Sequence, residues 1–473
     1  MASIKKNFGY NLLLTFCNYL FPLITYPYVS RVLGVDKIGM CNFVDGIINY
    51  FVLFSAMGIG SYGVREIAKC RDNIALRSKV FSNLIALNLC GTFFAVIILV
   101  LFTLFLPSFQ PYRPFLWLGC VKLIFNVFLI DWFFQGLQKF KYITACSVFV
   151  RLVYVISVFV FVHDKEDAAI YFAFLVMTTV INAVINWNYS QKYRTLSFKS
   201  LTLSLYLTPV LVLGYYRILT SMYTSFNVVF LGFTSGDAEV GYFTTATKLY
   251  AIIMGVFTAF TTVMVPKVSE LLAKGEKRKL QEIGDKTFSL LMAISLPIIA
   301  LCFFCADDII LVLSGKGYEG AYVPFRIVIF LLVIIGMEQI IIQQFLLASN
   351  SNRSVFAVST TGACVGIFLN IILTPKLGAI GSAISWGLSE VSVLLAGIYY
   401  LRKQMGIVLP MRTLVVNGLW ALLYIPPLLI IWNLNLPQWP NLLISSAVVV
   451  VMFLLINLKF NRNEPYAIVK SRQ

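Results

Sequence analysis

The fold follows from residues 81–106, which read FSNLIALNLCGTFFAVIILVLFTLFL and contain no charged side chain. At 1.5 Å rise per residue, an α-helix of about 20 residues crosses the ~30 Å hydrocarbon layer of a membrane. Hydrocarbon offers no partner to a backbone N–H group, and this run lacks the alternation of a barrel strand, so a helix best satisfies its backbone. The stretch therefore predicts a transmembrane helix.

Thirteen further stretches of the chain have the same character. The fourteen predicted spans are 10–30, 38–60, 81–106, 115–136, 143–162, 168–188, 211–232, 241–264, 287–306, 326–348, 355–374, 379–401, 414–432 and 441–458. The composition agrees, because 59% hydrophobic and 12% charged residues among 473 leave too little polar surface for a water-soluble globule. The sequence thus predicts an all-α polytopic membrane protein with about 14 transmembrane helices.

Lysine and arginine are distributed unevenly over the loops between these spans. An even number of spans places both termini and every second loop on one side, which carries 26 of the 37 lysine and arginine residues. The other side carries 7, and 4 lie within spans. Because basic loops remain in the cytoplasm, both termini are predicted to be cytoplasmic. Topology therefore explains the net charge of +17, and no nucleic-acid partner is expected.

A weak internal repeat indicates how the spans are grouped. At an offset of 202 residues, the segment 36–39 (DKIG) aligns with the segment 238–241 (AEVG). Six spans separate the two segments, so the repeats have the same orientation and a pseudo-two-fold axis along the membrane normal would relate them. We therefore expect an N-terminal lobe of six helices (1–200), a C-terminal lobe of six helices (201–405), and two additional helices with a cytoplasmic tail (406–473).

Ionisable residues inside the spans indicate a polar interior. Asp45 falls on the same helical face as Asn42 and Asn49, and Lys248 follows Thr244 at the nearly equivalent position of the second repeat. Polar faces avoid lipid, so they line either a water-filled cavity or a hydrogen-bonded helix interface. The other charges within spans, for which structural ion pairs are the alternative, are Lys122, Asp131, Arg151, Arg217, Glu338 and Glu390.

Short motifs occur in a fixed order along the chain. They are PYVSRVLG (27–34), GIG (58–60), REIA (65–68), DWFFQGL (131–137), GKGYE (315–319) and PKLGAIG (375–381). In type, order and spacing they resemble the motifs of the bacterial polysaccharide-repeat-unit flippases. These are the O-antigen and capsule translocases of the multidrug/oligosaccharidyl-lipid/polysaccharide exporter superfamily.

The resemblance implies a function as well as a fold. Its implied fold has two six-helix lobes around a central cavity that opens alternately to the cytoplasm and the periplasm. Its implied substrate is an oligosaccharide repeat unit on undecaprenyl pyrophosphate, which is turned over in the bacterial inner membrane and passed to a periplasmic glycan polymerase. The prenyl tail would stay in contact with membrane lipid, and no cofactor, metal or catalytic residue is expected.

The resemblance also suggests roles for the charges near and within the spans. Four basic residues are the predicted partners of the substrate pyrophosphate: Arg31, Lys122, Arg217 and Lys248. Three acidic residues are predicted to bind the proton or sodium ion that couples transport to a gradient: Asp45, Glu338 and Glu390. The intramembrane acids and bases are equal in number, so it is open whether all four cations face the cavity.

Two alternative functions share parts of this pattern. A multidrug or cation exporter of the same superfamily would have the same fold, but the motifs at 27–34 and 131–137 favour the glycan branch. A membrane-embedded glycan enzyme would need a metal or an acid–base group, usually in a large loop. The single histidine, His163, stands beside three acidic residues in a short loop, which a solvated turn explains. We therefore predict a transporter.

Overall fold

All regular secondary structure in the described part of the chain is helical. The computed structural model describes residues 4–198, 201–347, 349, 351–434 and 436–460. Ten helices there are long and apolar enough to cross a membrane, or eleven if the bent pair Glu319–Val328 and Leu331–Leu346 forms one span. The protein is thus an all-α, multi-span membrane protein, and the number of fourteen crossings stays a prediction. The chain divides into two compact units, Met1–Gly241 and Tyr242–Gln473.

Unit 1 is built around its first helix. Its helices are α1 (Ile4–Ala56), α2 (Ile59–Lys69), α3 (Ile74–Phe105), α4 (Arg113–Asn126), α5 (Asp131–Gly136), α6 (Phe140–Phe161), α7 (Ala168–Ser190), α8 (Leu203–Thr224) and α9 (Phe226–Ser235), with 3₁₀ turns at Pro107–Tyr112 and Lys165–Asp167. α1 packs against α3, α4 and α6, and α4 packs against α7. The start of the next helix, α10 (Asp237–Ala273), belongs to this unit.

α1 contains two of the predicted spans, joined by a kink at Gly34. This glycine is the non-helical residue inside the helix, with φ 75° and ψ 173°. A positive φ is accessible to glycine at no steric cost, whereas a side chain would make it strained. The expected loop at 31–37 is therefore reduced to one sharp bend.

The same backbone conformation recurs at Gly236, the position that the internal repeat aligns with this kink (φ 88°, ψ 179°). Just beyond the two bends the chain segments touch backbone to backbone. A Cβ atom on Gly39 would overlap the carbonyl oxygen of Asp237, and a Cβ atom on Gly241 would overlap that of Val35. The offset of 202 residues relates Gly39 to Gly241 and Val35 to Asp237, so each segment makes the same contact with the other. A side chain on either glycine would push the segments apart.

Two of the motifs pack against each other at one end of unit 1. Trp132 lies over Gly63 of α2, where a Cβ atom would collide with the indole, and Gly136 lies against Ile67 in the same way. Phe81 of α3 stacks on Trp132 with ring centroids 5.7 Å apart. These glycines and aromatic residues therefore build the core that joins α2, α3 and α5.

Unit 2 contains the remaining helices. They are the rest of α10, then α11 (Lys277–Phe304), α12 (Ala306–Ser314), α13 (Tyr322–Val328), α14 (Leu331–Glu338), α15 (Asn352–Met405), α16 (Met411–Leu422), α17 (Ile425–Asn433) and α18 (Gln438–Phe460), with a π-helix at Gln339–Leu346. α15 bends at Gly378 (φ 55°, ψ −130°) and packs against α13, α14 and the π-helix. α11 packs against α14, α16, α17 and α18.

Three predicted spans are broken where the sequence gives little sign of it. Span 115–136 consists of α4 and α5, separated by the non-helical residues 127–130, and span 211–232 falls on α8 and α9, which meet at Ser225. Span 326–348 is divided among α13, α14 and the π-helix. The residues at 127–130 are Val, Phe, Leu and Ile, as apolar as their neighbours, so hydropathy cannot locate such a break.

Candidate functional site

A closed set of three polar side chains lies inside unit 1. Asp45 and Asn49 are one turn apart on α1, and Lys122 reaches them from α4. The Lys122 Nζ atom lies 2.6 Å from Asp45 Oδ1 and donates a second hydrogen bond to Asn49 Oδ1 at 2.9 Å. Asn49 Nδ2 donates to Asp45 Oδ2 at 2.9 Å. Each side chain therefore bonds to both of the others.

This group is enclosed by the helices but remains partly open. The side chain of Lys122 is 17% exposed and that of Asp45 is 30% exposed. Charges within spanning helices are tolerated when they are paired with an opposite charge or exposed to water. Lys122 and Asp45 are paired with each other, and both side chains are partly exposed. An anion that reached Lys122 would compete with the Asp45 carboxylate for the same ammonium group.

The other three predicted cations lie on other parts of the helices. Arg31 is exposed on α1, shortly before the Gly34 kink, and Arg217 is exposed on α8 beside Gly60. Lys248 is half-buried on α10 in unit 2. Both Arg31 and Lys248 interact with neighbouring groups. In unit 1 the structure thus joins one predicted substrate cation, Lys122, to one predicted ion-binding acid, Asp45.

A pair of glutamates lies in the interior of unit 2. Glu338 ends α14 and Glu390 lies in α15, with exposed fractions of 7% and 3%. The two carboxyl groups interact with each other. The indole of Trp386 donates to Glu390 Oε1 at 2.7 Å, and its ring packs edge-on against Tyr250 with centroids 5.5 Å apart. Two of the three predicted ion-binding acids are therefore brought together.

The π-helix begins directly after Glu338 and carries further polar side chains. Gln339 Nε2 donates to Thr258 Oγ1 at 3.0 Å, and Gln339 Oε1 accepts from Thr261 Oγ1 at 3.1 Å. These bonds tie the segment to α10. π-turns are rare and often occur at functional sites. The signal in the sequence is the run MEQIIIQQ (337–344), in which glutamate and glutamines interrupt an apolar span.

Arg194, which no motif marks, is buried near the start of the segment that leads from α7 to α8. Its guanidinium lies 4.3 Å from the ring centroid of Phe81 and 4.1 Å from that of Trp187. Burial lowers the pKa of Arg194 to about 10, so the side chain is still charged at neutral pH. The backbone beyond it donates hydrogen bonds to Ser78 and Ser82 of α3. Arg194 anchors this segment on unit 1.

An apolar crevice opens among α11, α16 and α18 of unit 2, beside the turn between α16 and α17. Its wall includes Pro297, Asn417, Trp420, Tyr424 and Ile456. Pro297 cannot donate a backbone hydrogen bond, and its ring disturbs the helical ladder of α11 at this point. The crevice therefore combines an apolar surface with a few polar tips from α16 and from Tyr424, which precedes α17.

Known proteins similar to this chain are membrane transporters by name. The sequence profile of the polysaccharide biosynthesis protein family matches residues 4–272, and the MatE profile matches residues 214–372. An O-antigen transporter of Escherichia coli (strain K12) is 25% identical, over 85% of this chain and 97% of that protein. An O-antigen transporter of Shigella dysenteriae is 24% identical, over 83% of this chain and 98% of that protein.

Two solved structures are similar to this one in fold. The lipid II flippase MurJ, in an inward closed conformation, aligns with a TM-score of 0.75 over 95% of this chain and 99% of that chain, at 14% identity. An inward-facing MATE multidrug transporter of the MOP superfamily aligns with a TM-score of 0.61 over 84% and 94%, also at 14% identity. At this level of identity the likeness shows the fold.

The family follows from the profile, which covers more than half of the chain. The similar proteins are named for transport and flipping, in agreement with the prediction of a transporter and not an enzyme. The resemblance seen in the motifs is thereby confirmed. The chain belongs to the polysaccharide biosynthesis protein family, in the polysaccharide-transporter branch of the MOP superfamily.

Proposed function

We propose that this protein is a flippase for oligosaccharide repeat units linked to undecaprenyl pyrophosphate. It turns them from the cytoplasmic to the periplasmic face of the inner membrane by alternating access. The observation that carries the proposal is the partly open Lys122–Asp45–Asn49 group inside spanning helices. The O-antigen transporters and the lipid II flippase to which the chain is similar support a lipid-linked oligosaccharide as substrate.

The group has the chemistry that such a substrate needs. A sugar headgroup and a pyrophosphate lose hydrating water when they leave the membrane surface, so the protein must replace that water with donors and cations. Lys122 supplies a positive charge, and the amide of Asn49 can both donate and accept hydrogen bonds. We assign the first contact with the pyrophosphate to Lys122, with Arg31, Arg217 and Lys248 as further phosphate partners.

Competition for Lys122 would couple substrate binding to an ion. When a phosphate takes the ammonium group, Asp45 loses its counterion at a partly buried position. A proton or a sodium ion must then neutralise the carboxylate, because an uncompensated charge within the span is costly. Substrate and ion would therefore each favour the binding of the other, which is the thermodynamic requirement for coupling.

The Glu338–Glu390 pair is the proposed second ion site. A hydrogen bond between two carboxyl groups requires a proton on one of them, so the pair can hold a proton between its oxygens. Its position beside the π-helix would let proton occupancy act on helix geometry in unit 2. A hydrogen bond from Trp386 keeps Glu390 oriented while the shared proton is bound or released.

The remaining assignments follow the sequence predictions. The proposed lobes are 1–200 and 201–405, with residues 406–473 as additional helices and tail, and both termini are cytoplasmic. The apolar crevice among α11, α16 and α18 suits part of the prenyl tail, because its lining includes aliphatic side chains and aromatic rings. A periplasmic glycan polymerase is the proposed consumer of the product.

A multidrug exporter is the second candidate function. The MatE profile matches residues 214–372, which shows that part of the chain has the character of that group. The match covers less of the chain than the polysaccharide profile does. A lysine as the central charge of the unit 1 group also suits an anionic substrate better than a cationic drug.

The test is complementation of a strain that lacks its own repeat-unit flippase. The intact protein should restore surface glycan and clear the lipid-linked precursor that accumulates on the cytoplasmic face. Lys122→Ala should restore neither at normal protein level, whereas Lys141→Ala, which removes an exposed lysine outside the predicted spans, should restore both. Drug resistance without glycan export, tested over several repeat-unit structures, would favour the exporter.

A further inference from the structure

The loop between α6 and α7 lies against α1 on both sides of the Gly34 kink. Before the kink, the hydroxyl of Tyr28 donates to the carbonyl oxygen of Val162 at 2.7 Å. After the kink, Lys37 Nζ lies 3.9 Å from a carboxylate oxygen of Glu166, whose side chain is almost fully exposed, so this second contact contributes little. The Tyr28 side therefore carries most of the attachment.

His163 completes the Tyr28 side of this attachment. Its Nδ1 atom lies 3.2 Å from the Tyr28 hydroxyl, and its Nε2 atom lies 2.9 Å from the carbonyl oxygen of Val160. The backbone of the loop is fixed independently, because Asp167 Oδ2 accepts from the backbone N–H of His163 at 2.8 Å and from that of Asp164 at 2.9 Å. The imidazole is thus held by its neighbours at both nitrogens.

The hydrogens available to this set determine the state of the imidazole. A carbonyl can only accept, so Nε2 must carry a hydrogen to bond to Val160. Tyr28 has one hydroxyl hydrogen, and its shorter bond to Val162 uses it. Nδ1 then faces an oxygen that can only accept, so it must carry a hydrogen as well. All three bonds exist together only when His163 is an imidazolium.

We propose that His163 is a proton-dependent brace on the α1 kink, which holds the α6–α7 loop on Tyr28 when protonated and loosens it when neutral. With a neutral ring, Nδ1 and the Val162 carbonyl compete for one hydroxyl hydrogen, and one bond across the kink is lost. Histidine is the side chain whose charge normally changes between pH 5 and 8. The charge sorting places this loop outside the cytoplasm, so the brace would respond to external pH. The inference does not depend on the substrate.

Several charged or titratable groups lie close to the brace along α1 and the loop. They are Tyr28, Arg31, Asp36 and Lys37 from α1, and Asp164, Lys165, Glu166 and Asp167 from the loop and its 3₁₀ turn, while the last turn of α6 supplies only the apolar residues 158–161. Acids and bases are nearly balanced among them. Phe159 packs against the Tyr28 ring with centroids 4.5 Å apart, which fixes the hydroxyl without adding charge.

The direction of the pH effect follows from the proton count. The braced form binds one more proton than the loosened form, so acid favours the brace and alkali releases it. One hydrogen bond of modest net strength makes the braced form up to about threefold more favoured in acid than in alkali.

The single histidine of the chain makes a direct measurement practical. Full-length protein labelled with ¹⁵N-histidine, purified without a histidine tag and placed in lipid nanodiscs, gives one imidazole spin system whose shifts report each N–H. We expect both nitrogens to carry hydrogen in acid, and we expect Tyr28→Phe to change the Nδ1 shift because the hydroxyl that faces Nδ1 is removed. Tyr19→Phe on the same helix should leave the Nδ1 shift unchanged. An unchanged Nδ1 shift in Tyr28→Phe overturns the proposal.

Hydrogen exchange of residues 27–38 tests the effect on the kink itself. Comparing intact protein with His163→Asn at the same pH cancels the intrinsic pH dependence of exchange. The variant should exchange up to about threefold faster at pH 5.5 and match the intact protein at pH 8. A difference of equal size at both pH values, or none at either, would show that the ring acts without its proton, and the brace would be rejected.

Discussion

The Lys122–Asp45 pair predicts strongly non-additive effects of substitution on stability. Lys122→Met removes the ammonium group and keeps an apolar stem, while Asp45→Asn removes the charge and keeps the shape. Either change alone leaves the other charge within a spanning helix without its counterion. Both changes together leave neutral side chains that fit the same space.

The size of the effect can be worked from the distance and the exposure. Two unit charges 2.6 Å apart attract by about 6 kcal/mol at an effective dielectric constant of ~20. Desolvation of the two charges offsets most of this attraction. Exposed fractions of 17% and 30% add some solvent screening. We expect a coupling free energy of about 1–3 kcal/mol, with the double variant no less stable than the worse single variant.

A double-mutant cycle measures this coupling. The free energy of unfolding is followed by tryptophan fluorescence for the intact protein, both single variants and the double variant in the same micelles. A control cycle pairs Asp45→Asn with Lys141→Met, an exposed lysine outside the predicted spans, and should be additive within about 0.5 kcal/mol. Additivity in the Lys122 cycle as well would refute the assignment of the pair as an interacting unit.

Four further predictions test the fold and the proposed transport. Gly63→Ala should cost about 1–3 kcal/mol in free energy of unfolding because its Cβ atom meets the Trp132 ring, whereas Gly60→Ala, with the Arg217 side chain 3.4 Å away, should be neutral. In proteoliposomes, Asp45→Asn should bind substrate yet lose its response to an imposed proton or sodium gradient; an undiminished response removes Asp45 as the coupling site. Lys248→Ala should abolish surface glycan and Lys248→Arg should retain part of it, since the charge is kept; normal export by Lys248→Ala would exclude the phosphate contact. Reporter fusions at Lys192 and at Asp164 should read cytoplasmic and exported, respectively, and a cytoplasmic result at both would contradict the predicted topology.

The features that could be predicted from sequence depend on local periodicity. The apolar run 81–106 falls on α3, because hydropathy averaged over a helix length reports contact with lipid. Asp45 and Asn49 were expected on one face from their spacing, and they hydrogen-bond to each other on α1. The motif at 131–137 indicated the family correctly, although its aromatic residues are now seen to form core contacts.

The features that could not be predicted depend on contacts between distant helices. Nothing in the sequence says that Lys122 meets Asp45, or that Glu338 meets Glu390, because each pairing is set by how separate helices pack. The sequence predicted a loop between the first two spans and not a sharp bend at Gly34, because Val35 and Asp36 resemble an ordinary loop in composition. Arg194 has no local signal at all, because its aromatic partners Phe81 and Trp187 come from different helices.

The π-helix after Glu338 gives unit 2 a means of rotation. A π-turn holds one more residue than an α-turn, so its return to α geometry would shift the following chain by one residue, about 100° around the axis and about 1.5 Å along it. Gln344, whose amide lies 3.5 Å from the Thr261 carbonyl oxygen, would swing away from α10 while α14 stayed in place. A change from π to α geometry in the segment 339–346 would therefore rotate the chain that follows it relative to α14, without tilting either part.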